Sequence, residues 1–276
     1  MSPVPIIALK EVRDGLRNRW VAATTLLLAA LALTLTFLGS APTGSVGVNP
    51  LEVTIVSLSS LTIFLLPLLA LLLSFDAVVG EIDRGTMLLL LSYPVSRWQA
   101  LLGKFLGHLG IIAFATLCGY GSAGAVLWAT TPEIAPESWS AFAALLGSSV
   151  LLGGAFVSLG YLASTCVRDR GTAAGIAVAL WLVFVLLYDM GLLGLLVATQ
   201  GQGLGGGLLD LLLLANPTDA YRLFNLAGLP EVGRHAGMAG VAAHGTPAPG
   251  LLLAALAGWM LLPLGLAALI FSRRQI

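Results

Sequence analysis

Residues 54–75 read TIVSLSSLTIFLLPLLALLLSF, a run of 22 residues without a charged side chain. At about 1.5 Å of rise per residue, a helix of this length crosses the roughly 30 Å hydrocarbon core of a bilayer. Five other stretches are long and apolar enough to do the same, at 20–39, 105–129, 141–165, 173–198 and 250–271. The sequence therefore predicts an all-α integral membrane protein with six transmembrane helices.

The composition supports a membrane-embedded chain. Apolar residues make up 58% of the 276 residues and charged residues 9%, whereas soluble domains average about 45–50% and about 25%. These values exclude a disordered chain, a collagen and a nucleic-acid-binding protein, and we expect one transmembrane domain over residues 1–276. Two cysteines are too few for a disulfide scaffold, and we expect Cys118 and Cys166 to be small buried apolar side chains.

Basic residues are concentrated in alternate connecting segments. Eleven of the 13 Lys and Arg residues lie on one side of the predicted membrane, whereas Arg222 and Arg234 lie on the other. The eleven are Lys10, Arg13, Arg17, Arg19, Arg84, Arg97, Lys104, Arg168, Arg170, Arg273 and Arg274. The positive-inside rule places these segments and both termini in the cytoplasm, which agrees with an even number of spans.

The N-terminal segment permits two interpretations. Residues 39–41 (Gly-Ser-Ala) resemble a signal-peptide cleavage site, but the apolar run 20–38 exceeds the usual length of about 7–15 residues, so we expect an uncleaved first span. Before it, apolar residues recur at helical spacing between charged ones over residues 5–19. This pattern predicts an amphipathic interfacial helix, which serves at least as an orientation anchor.

The connecting segment 76–104 reads DAVVGEIDRGTMLLLLSYPVSRWQALLGK. Gly85-Thr86 and Tyr93-Pro94 interrupt it, since proline disfavours a helical residue before it. Ser96 can then cap a helix that begins near Arg97 and enters the third span. The stretch 86–91 is predicted to be a short apolar helix, either a docking surface for a soluble partner or an ordinary interfacial loop helix. A second charged projection, 164–171, is predicted on the same side.

The motifs of segment 76–104 resemble those of a known family. Glu81 is followed by Asp83-Arg84-Gly85-Thr86, then by Leu88–Leu91, Pro94-Val95-Ser96-Arg97 and Gly103-Lys104. This order is similar to the E-x-x-x-G-T…L-L…P-x-S-R…G-K signature of type-2 ABC transporter permeases. Six spans with an amphipathic first helix, and a large extracytoplasmic segment before the last span, are also similar. The resemblance covers essentially the whole chain.

Three stretches resemble more closely the permeases of the nitrous oxide reductase maturation system. They are EVRDGLRNRW (11–20), FDAVVGEIDRGTMLLLLSYPVSRWQALLGKFLGHLG (75–110) and NPTDAYRLFNL (216–226). The resemblance implies a homodimer in the bacterial inner membrane, surrounded by lipid and without a cofactor, metal or nucleic acid of its own. It also implies a NosF-like cytoplasmic ABC ATPase and a NosD-like periplasmic factor for copper-site maturation as partners.

The same resemblance assigns ATPase-coupling roles to two groups of residues. The first group comprises Glu81, Asp83, Arg84, Gly85, Thr86, Pro94 and Arg97. The second group comprises Arg168, Asp169 and Arg170, in a turn with little motif of its own.

The chain lacks the motifs of an ATPase or a hydrolase. No G-x-x-x-x-G-K-[ST] motif occurs, and Gly103-Lys104 is followed by Phe105 instead of a hydroxyl side chain. Ser122 lies in Y-G-S-A-G, where a nucleophile elbow needs glycine in place of Tyr120. His108 would lie about 21 Å from Ser122 along one helix. We expect a non-catalytic subunit, with ATP hydrolysis in a partner chain.

Polar and small residues inside the spans suggest two further features. Asp189 is the one acidic residue in a predicted span, and a carboxylate in hydrocarbon costs about 2.5–3.5 kcal/mol. We expect Asp189 either to form an intramembrane polar site that faces protein or water, or to lie at the interface if span five ends early. Gly103 with Gly107, and Gly171 with Gly175, have the spacing for close helix approach within the chain or between subunits.

The segment 199–249 is predicted to be extracytoplasmic. A turn at 216–219 can start a helix, and we expect this region to contact the periplasmic partner through Asn216, Asp219, Tyr221, Arg222 and Phe224. His235, Met238 and His244 follow in a Gly- and Ala-rich loop. Imidazole and thioether groups suit copper, but three scattered ligands favour a solvated loop, so no metal site is predicted.

Three functions remain open from the sequence. The first is a permease subunit that couples ATP hydrolysis by another chain to transport or to conformational work on a periplasmic partner. The second is a self-contained secondary carrier, which predicts internal repeats and several buried charges that the sequence does not show. The third is a non-transporting membrane anchor, which would not need the elaborate segment 76–104. Sulfur species, copper or conformational force alone are all compatible with the first function.

Overall fold

The computed structural model describes residues 3–39, 50–131, 134–199, 206–227 and 247–274, and every regular element in these ranges is a helix. The elements are α1 (Val4–Leu16), α2 (Arg19–Gly39), α3 (Pro50–Ser74), α4 (Val79–Asp83), α5 (Thr86–Leu91), α6 (Arg97–Thr130), α7 (Pro136–Cys166), α8 (Arg170–Leu182), a π-helical turn (Val183–Leu187), α9 (Tyr188–Ala198), α10 (Gly206–Leu214), α11 (Pro217–Ala227) and α12 (Pro249–Arg273).

Five helices of the described chain are long and apolar enough to cross a membrane. They are Pro50–Asp83, Arg97–Thr130, Pro136–Cys166, Arg170–Ala198 and Pro249–Arg273. The pair formed by α1 and α2, which meet at 69°, gives a sixth candidate. These helices confirm the prediction of an all-α integral membrane protein.

Helix α6 begins eight residues before the predicted third span because a local motif starts it. The Ser96 hydroxyl accepts a hydrogen bond from Gln99 N at 3.3 Å, and the Gln99 side chain accepts one from Ser96 N at 3.0 Å. This capping box satisfies two of the amide groups that a helix leaves free at its N-terminus. The cap predicted at Ser96 and the short helix predicted at 86–91 are both confirmed.

Helix α7 lies at the centre of the bundle and packs against α3, α6 and α12. Glycines allow this close approach, since a Cβ atom at Gly153 or Gly160 would overlap Ile112 or Ser74. The apolar window of α7 is 67% buried, compared with 17% for span five, which comprises α8, the π-helical turn and α9. Span five is therefore the least buried of the five single-helix candidate spans.

The predicted glycine pairs differ in their surroundings. Gly103 and Gly107 lie against Ile7 and Glu11 of α1, so this pair forms a groove in α6 for the amphipathic helix. A Cβ atom at Gly175 would meet no atom within 4 Å. Only the first pair is therefore used for packing within one chain.

The expectation that both cysteines are buried is wrong for the single chain, because Cys118 and Cys166 are exposed. In a membrane protein an apolar side chain can face lipid without the cost of exposure to water. Apolar character therefore did not predict burial inside this chain.

Candidate functional site

Segment 76–104 folds into two short helices that are separated by a left-handed turn. Gly85 has φ = +71°, a conformation that favours glycine because other residues have a Cβ atom that disfavours it. The Thr86 hydroxyl donates a hydrogen bond to the Glu81 carbonyl at 3.3 Å across this turn. Gly85 and Thr86 are uncharged, and their role in this segment is therefore to fix the angle between α4 and α5.

An ion cluster joins α1, α4 and α6. Lys104 Nζ lies 2.7 Å from Glu81 Oε1 and 2.9 Å from Glu11 Oε1, and its side chain is only 4% exposed. The His108 and Tyr161 side chains extend the cluster, with Nδ1 of the histidine 2.9 Å from the tyrosine hydroxyl. Glu81, predicted to couple to an ATPase, is thus linked through Lys104 to the amphipathic helix α1.

The cluster determines the protonation of Glu11. Burial raises the pKa of this carboxyl, but the charge and hydrogen bond of Lys104 outweigh burial, and the pKa is held below its usual value. Glu11 is therefore a carboxylate at neutral pH and a permanent partner of Lys104.

The two predicted coupling regions meet at Asp76. Arg170 Nη2 lies 2.8 Å from Asp76 Oδ2, and Arg84 Nη1 lies 3.8 Å from the same oxygen. Because Arg84 belongs to the first region and Arg170 to the second, one carboxylate holds the two projections together. The sequence did not single out Asp76 for this role.

Most of the predicted coupling residues are exposed, and we call this set of residues the charged face. Its exposed members are Asp83, Arg84, Thr86, Pro94, Arg168, Asp169 and Arg170. Asp169 also caps α8 by accepting a hydrogen bond from Thr172 N at 2.8 Å. Hydrogen bonds from the Thr172 side chain and backbone hold the pKa of Asp169 below its usual range.

Arg97 points away from the charged face towards the end of α12. Its guanidinium donates to the carbonyls of Phe271 (3.0 Å), Ser272 (3.2 Å) and Arg274. Arg274 in turn donates to the Thr165 carbonyl at 3.0 Å. Arginine thus satisfies the free carbonyl groups at a helix C-terminus. These contacts place the start of α6, the end of α7 and the end of α12 at the same end of the bundle.

A cleft of about 390 Å³ opens between α1 and the α4–α5 segment. Its lining combines charged and apolar side chains, namely Ile7, Lys10, Glu11, Glu81, Arg84, Thr86, Leu89, Leu90, Tyr93 and Lys104. The cleft adjoins the charged face, because Arg84 and Thr86 belong to both.

A second charged cluster surrounds Asp189. Arg222 Nη2 lies 2.7 Å from Asp189 Oδ2, and Arg222 Nη1 lies 2.8 Å from Asp219 Oδ1. The predicted polar site therefore has a partner that sequence reasoning missed, because the two residues are 33 positions apart. The one available signal was that Arg222 is a basic residue on the side that is poor in basic residues.

The predicted partner-contact residues on α11 need a correction. Asn216 and Tyr221 are fully buried and Asp219 is 3% exposed, because α11 packs into the bundle against α3, α7 and α12. These three side chains therefore do not present a docking surface in this conformation. Arg222 and Phe224 are partly exposed, and their contact with a partner stays a prediction.

The described ranges contain no group of three or more His, Cys, Asp or Glu side chains that could hold a metal ion. His235, Met238 and His244 lie outside the residues that the structure describes.

Comparison with known sequences agrees with this architecture. The family described as "ABC-2 family transporter protein" matches residues 6–276. The chain belongs to the ABC-2 transporter family. An ABC-2 protein of this kind is the membrane permease subunit of an ABC transporter.

Two full-length relatives are named "Probable ABC transporter permease protein NosY". The protein from Pseudomonas aeruginosa is 47% identical over 277 residues and covers 100% of both chains. The protein from Stutzerimonas stutzeri is 45% identical over 277 residues and covers 99% of both chains. The resemblance to type-2 ABC transporter permeases that segment 76–104 indicated is thus confirmed.

Proposed function

We propose that this ABC-2 permease couples ATP hydrolysis by a separate cytoplasmic ATPase to conformational work on a periplasmic partner. The observation that carries the proposal is the Asp76 junction, where Arg84 and Arg170 from two separate projections meet one carboxylate. A rigid charged face built from two connecting segments can receive motion from a soluble domain. A membrane anchor alone would not need such a joint.

The orientation follows from the charges at the two ends. The end that holds α1, the charged face and Arg274 carries most of the basic residues, so the positive-inside rule directs it to the cytoplasm. A NosF-like ATPase would then bind the charged face and the adjoining cleft. The cleft offers apolar residues such as Leu89 beside charged ones such as Arg84, a combination typical of protein interfaces.

Two copies of the chain form the working unit in this proposal. Span five is 17% buried within one chain, and a Cβ atom at Gly175, Gly191 or Gly194 would meet no atom within 4 Å. Outward-facing glycines permit close helix approach in a bilayer. We assign this face to a second copy of the chain in the bacterial inner membrane.

The relatives named NosY support a role in the maturation of nitrous oxide reductase, and hence in assembly of its copper site. A NosD-like periplasmic factor would be the partner that receives the motion. The proposal requires only that conformational force is transmitted across the membrane. It does not depend on whether sulfur species or copper also cross.

The test reverses charges on the charged face. In Asp83→Lys combined with Arg168→Glu, both exposed side chains change sign, and we expect about tenfold less ATPase to copurify with the tagged permease. Glu137→Lys, a single charge reversal at an exposed position in the first turn of α7, at the other end of this helix from Arg168, is the control and should retain the ATPase. Permease yield and melting temperature should match in all variants.

Two results would contradict the proposal. If the charge-reversed variant copurified as much ATPase as wild type, the charged face would not be the ATPase-coupling surface. A wild-type permease that purifies from its native host without any ATPase or nucleotide hydrolysis would favour the self-contained carrier.

A further inference from the structure

The π-helical turn of span five contacts the start of α11. Here the Phe184 carbonyl accepts hydrogen bonds from Asn216 Nδ2 at 3.0 Å and from Thr218 Oγ1 at 3.1 Å. A π-helical turn inside a transmembrane helix is rare, and such turns are frequent at functional sites and at kinks. The turn in span five therefore presents a backbone acceptor to another element.

A shared arginine makes the second contact between the same two elements. Arg222 of α11 binds Asp189 of span five at 2.7 Å and Asp219 of α11 at 2.8 Å. Asp189 and Asp219 share one guanidinium, and removing the arginine would leave two partly or fully buried carboxyl groups without their partner, which is costly. The ion pair therefore resists separation of α11 from span five.

Helix α10, which precedes α11, is also held by hydrogen bonds near the contact between α11 and span five. The Tyr188 hydroxyl donates to the Leu212 carbonyl at 2.7 Å, and Trp259 Nε1 donates to the Leu214 carbonyl at 3.2 Å. Both acceptors belong to the C-terminal turn of α10, whose carbonyls have no partner within the helix. Span five and α12 thus fix the turn between α10 and α11 from two sides.

Within the described chain, the side-chain hydrogen bonds between α11 and α7 are neutral. Tyr221 and Ser149 share a hydrogen bond of 2.9 Å, and Asn225 Nδ2 donates to Ser148 Oγ at 3.0 Å, both serine residues being on α7. Charge-assisted hydrogen bonds are about twice as strong as neutral ones. α11 is therefore held to peripheral span five by charge and to central α7 by neutral groups.

We propose that Asp189, Arg222 and the Phe184 carbonyl form a clamp that makes α11 follow the movement of span five. Asp189 and Arg222 are positioning residues, and the π-helical turn supplies the Phe184 carbonyl that accepts from Asn216 and Thr218. The inference rests on the proposed coupling function and names the path by which motion reaches the extracytoplasmic end. Within one chain, that path runs from Arg170 at the start of span five to Asp189 and then to α11.

The experiment uses the permease in complex with its ATPase in lipid nanodiscs. Hydrogen exchange of span five and of α11 is measured with ATP and with ADP in wild type, Asp189→Asn and Asp210→Asn. Asp210→Asn makes the same chemical change on α10, at a carboxylate that forms no ion pair within the described chain. We expect nucleotide to alter exchange in both segments of wild type and of the control.

In Asp189→Asn we expect the nucleotide response of span five to persist and that of α11 to fall by about tenfold, with basal ATPase activity unchanged. Arg222→Gln should give the same loss, and the double variant should lose no more than either single variant. An α11 response equal to wild type in Asp189→Asn would overturn the clamp while leaving the proposed function intact. The absence of any nucleotide response in wild type would overturn both.

Discussion

At the scale of single residues, the most consequential side chain is Lys104. It is 4% exposed and stands between two carboxylates, Glu11 at 2.9 Å and Glu81 at 2.7 Å. Removing one partner of a buried ion pair costs far more than removing an exposed pair, because the remaining charges lose their compensation. The cluster joins the amphipathic helix α1 to α4, so its loss affects both helices.

Lys104→Met should therefore destabilise the protein by about 3–5 kcal/mol. Lys10→Met is the matched control, since Lys10 is 62% exposed and its pairs with Glu11 and Asp14 should contribute at most about 1 kcal/mol. Thermal unfolding in detergent measures both. Equal melting temperatures for the two variants would show that the cluster does not stabilise the fold.

The lowered pKa of Glu11 also predicts a pH dependence. Lys104 favours the charged carboxylate in the folded state, so the folded pKa lies below the usual 4.5 of the unfolded chain. The resulting stability is fully present above that usual value and is lost as pH falls through the folded pKa. In Glu11→Gln the melting temperature should fall less steeply with acid than in wild type. Parallel curves would contradict the assignment.

At the scale of helices, the α1–α6 groove can be tested with glycine substitutions. A Cβ atom at Gly107 would overlap Glu11 and lie 3.0 Å from the Ala8 carbonyl, so Gly107→Ala must displace α1. Gly121 lies in the same helix and has nothing within 4 Å of its added Cβ. There alanine should stabilise the helix by up to about 1 kcal/mol.

We expect Gly107→Ala to expose α1 to trypsin at Lys10 and Arg13, whereas Gly121→Ala should be as resistant as wild type. The initial rate of cleavage in nanodiscs, followed by mass spectrometry, distinguishes the two variants. Identical cleavage of both variants would mean that α1 does not depend on this groove.

At the scale of the whole molecule, local features were predictable from the sequence and distant pairings were not. The Ser96 cap and the break at Gly85 depend on residues within a few positions, so their chemistry can be read directly from the chain. Glu11 and Lys104 are 93 positions apart, and Asp189 and Arg222 are 33 apart. Apolar runs predict that helices exist but not which faces meet, so these pairs required the structure.

The burial of α11 is a second feature that could not be predicted from the sequence. Tyr221 and Asn216 were expected at a partner interface because they follow a turn in the predicted extracytoplasmic segment 199–249. Both are fully buried, because α11 packs into the bundle, where Tyr221 shares a hydrogen bond with Ser149 of α7 and Asn216 donates to the Phe184 carbonyl. In this chain α11 can lie in the protein interior because serine residues of α7 bind its polar side chains.

Assembly of two copies provides the last prediction. If span five faces a second copy, a cysteine placed at Val183, which is 43% exposed, should crosslink between subunits in a variant without Cys118 and Cys166. Leu262→Cys on α12 is the control, since this position is 71% exposed but would face lipid. We expect a dimer band on non-reducing gels of membranes for Val183→Cys and little for Leu262→Cys. The reverse pattern would move the subunit contact to α12, and it would remove span five from the dimer interface while leaving the clamp between Asp189 and Arg222 unaffected.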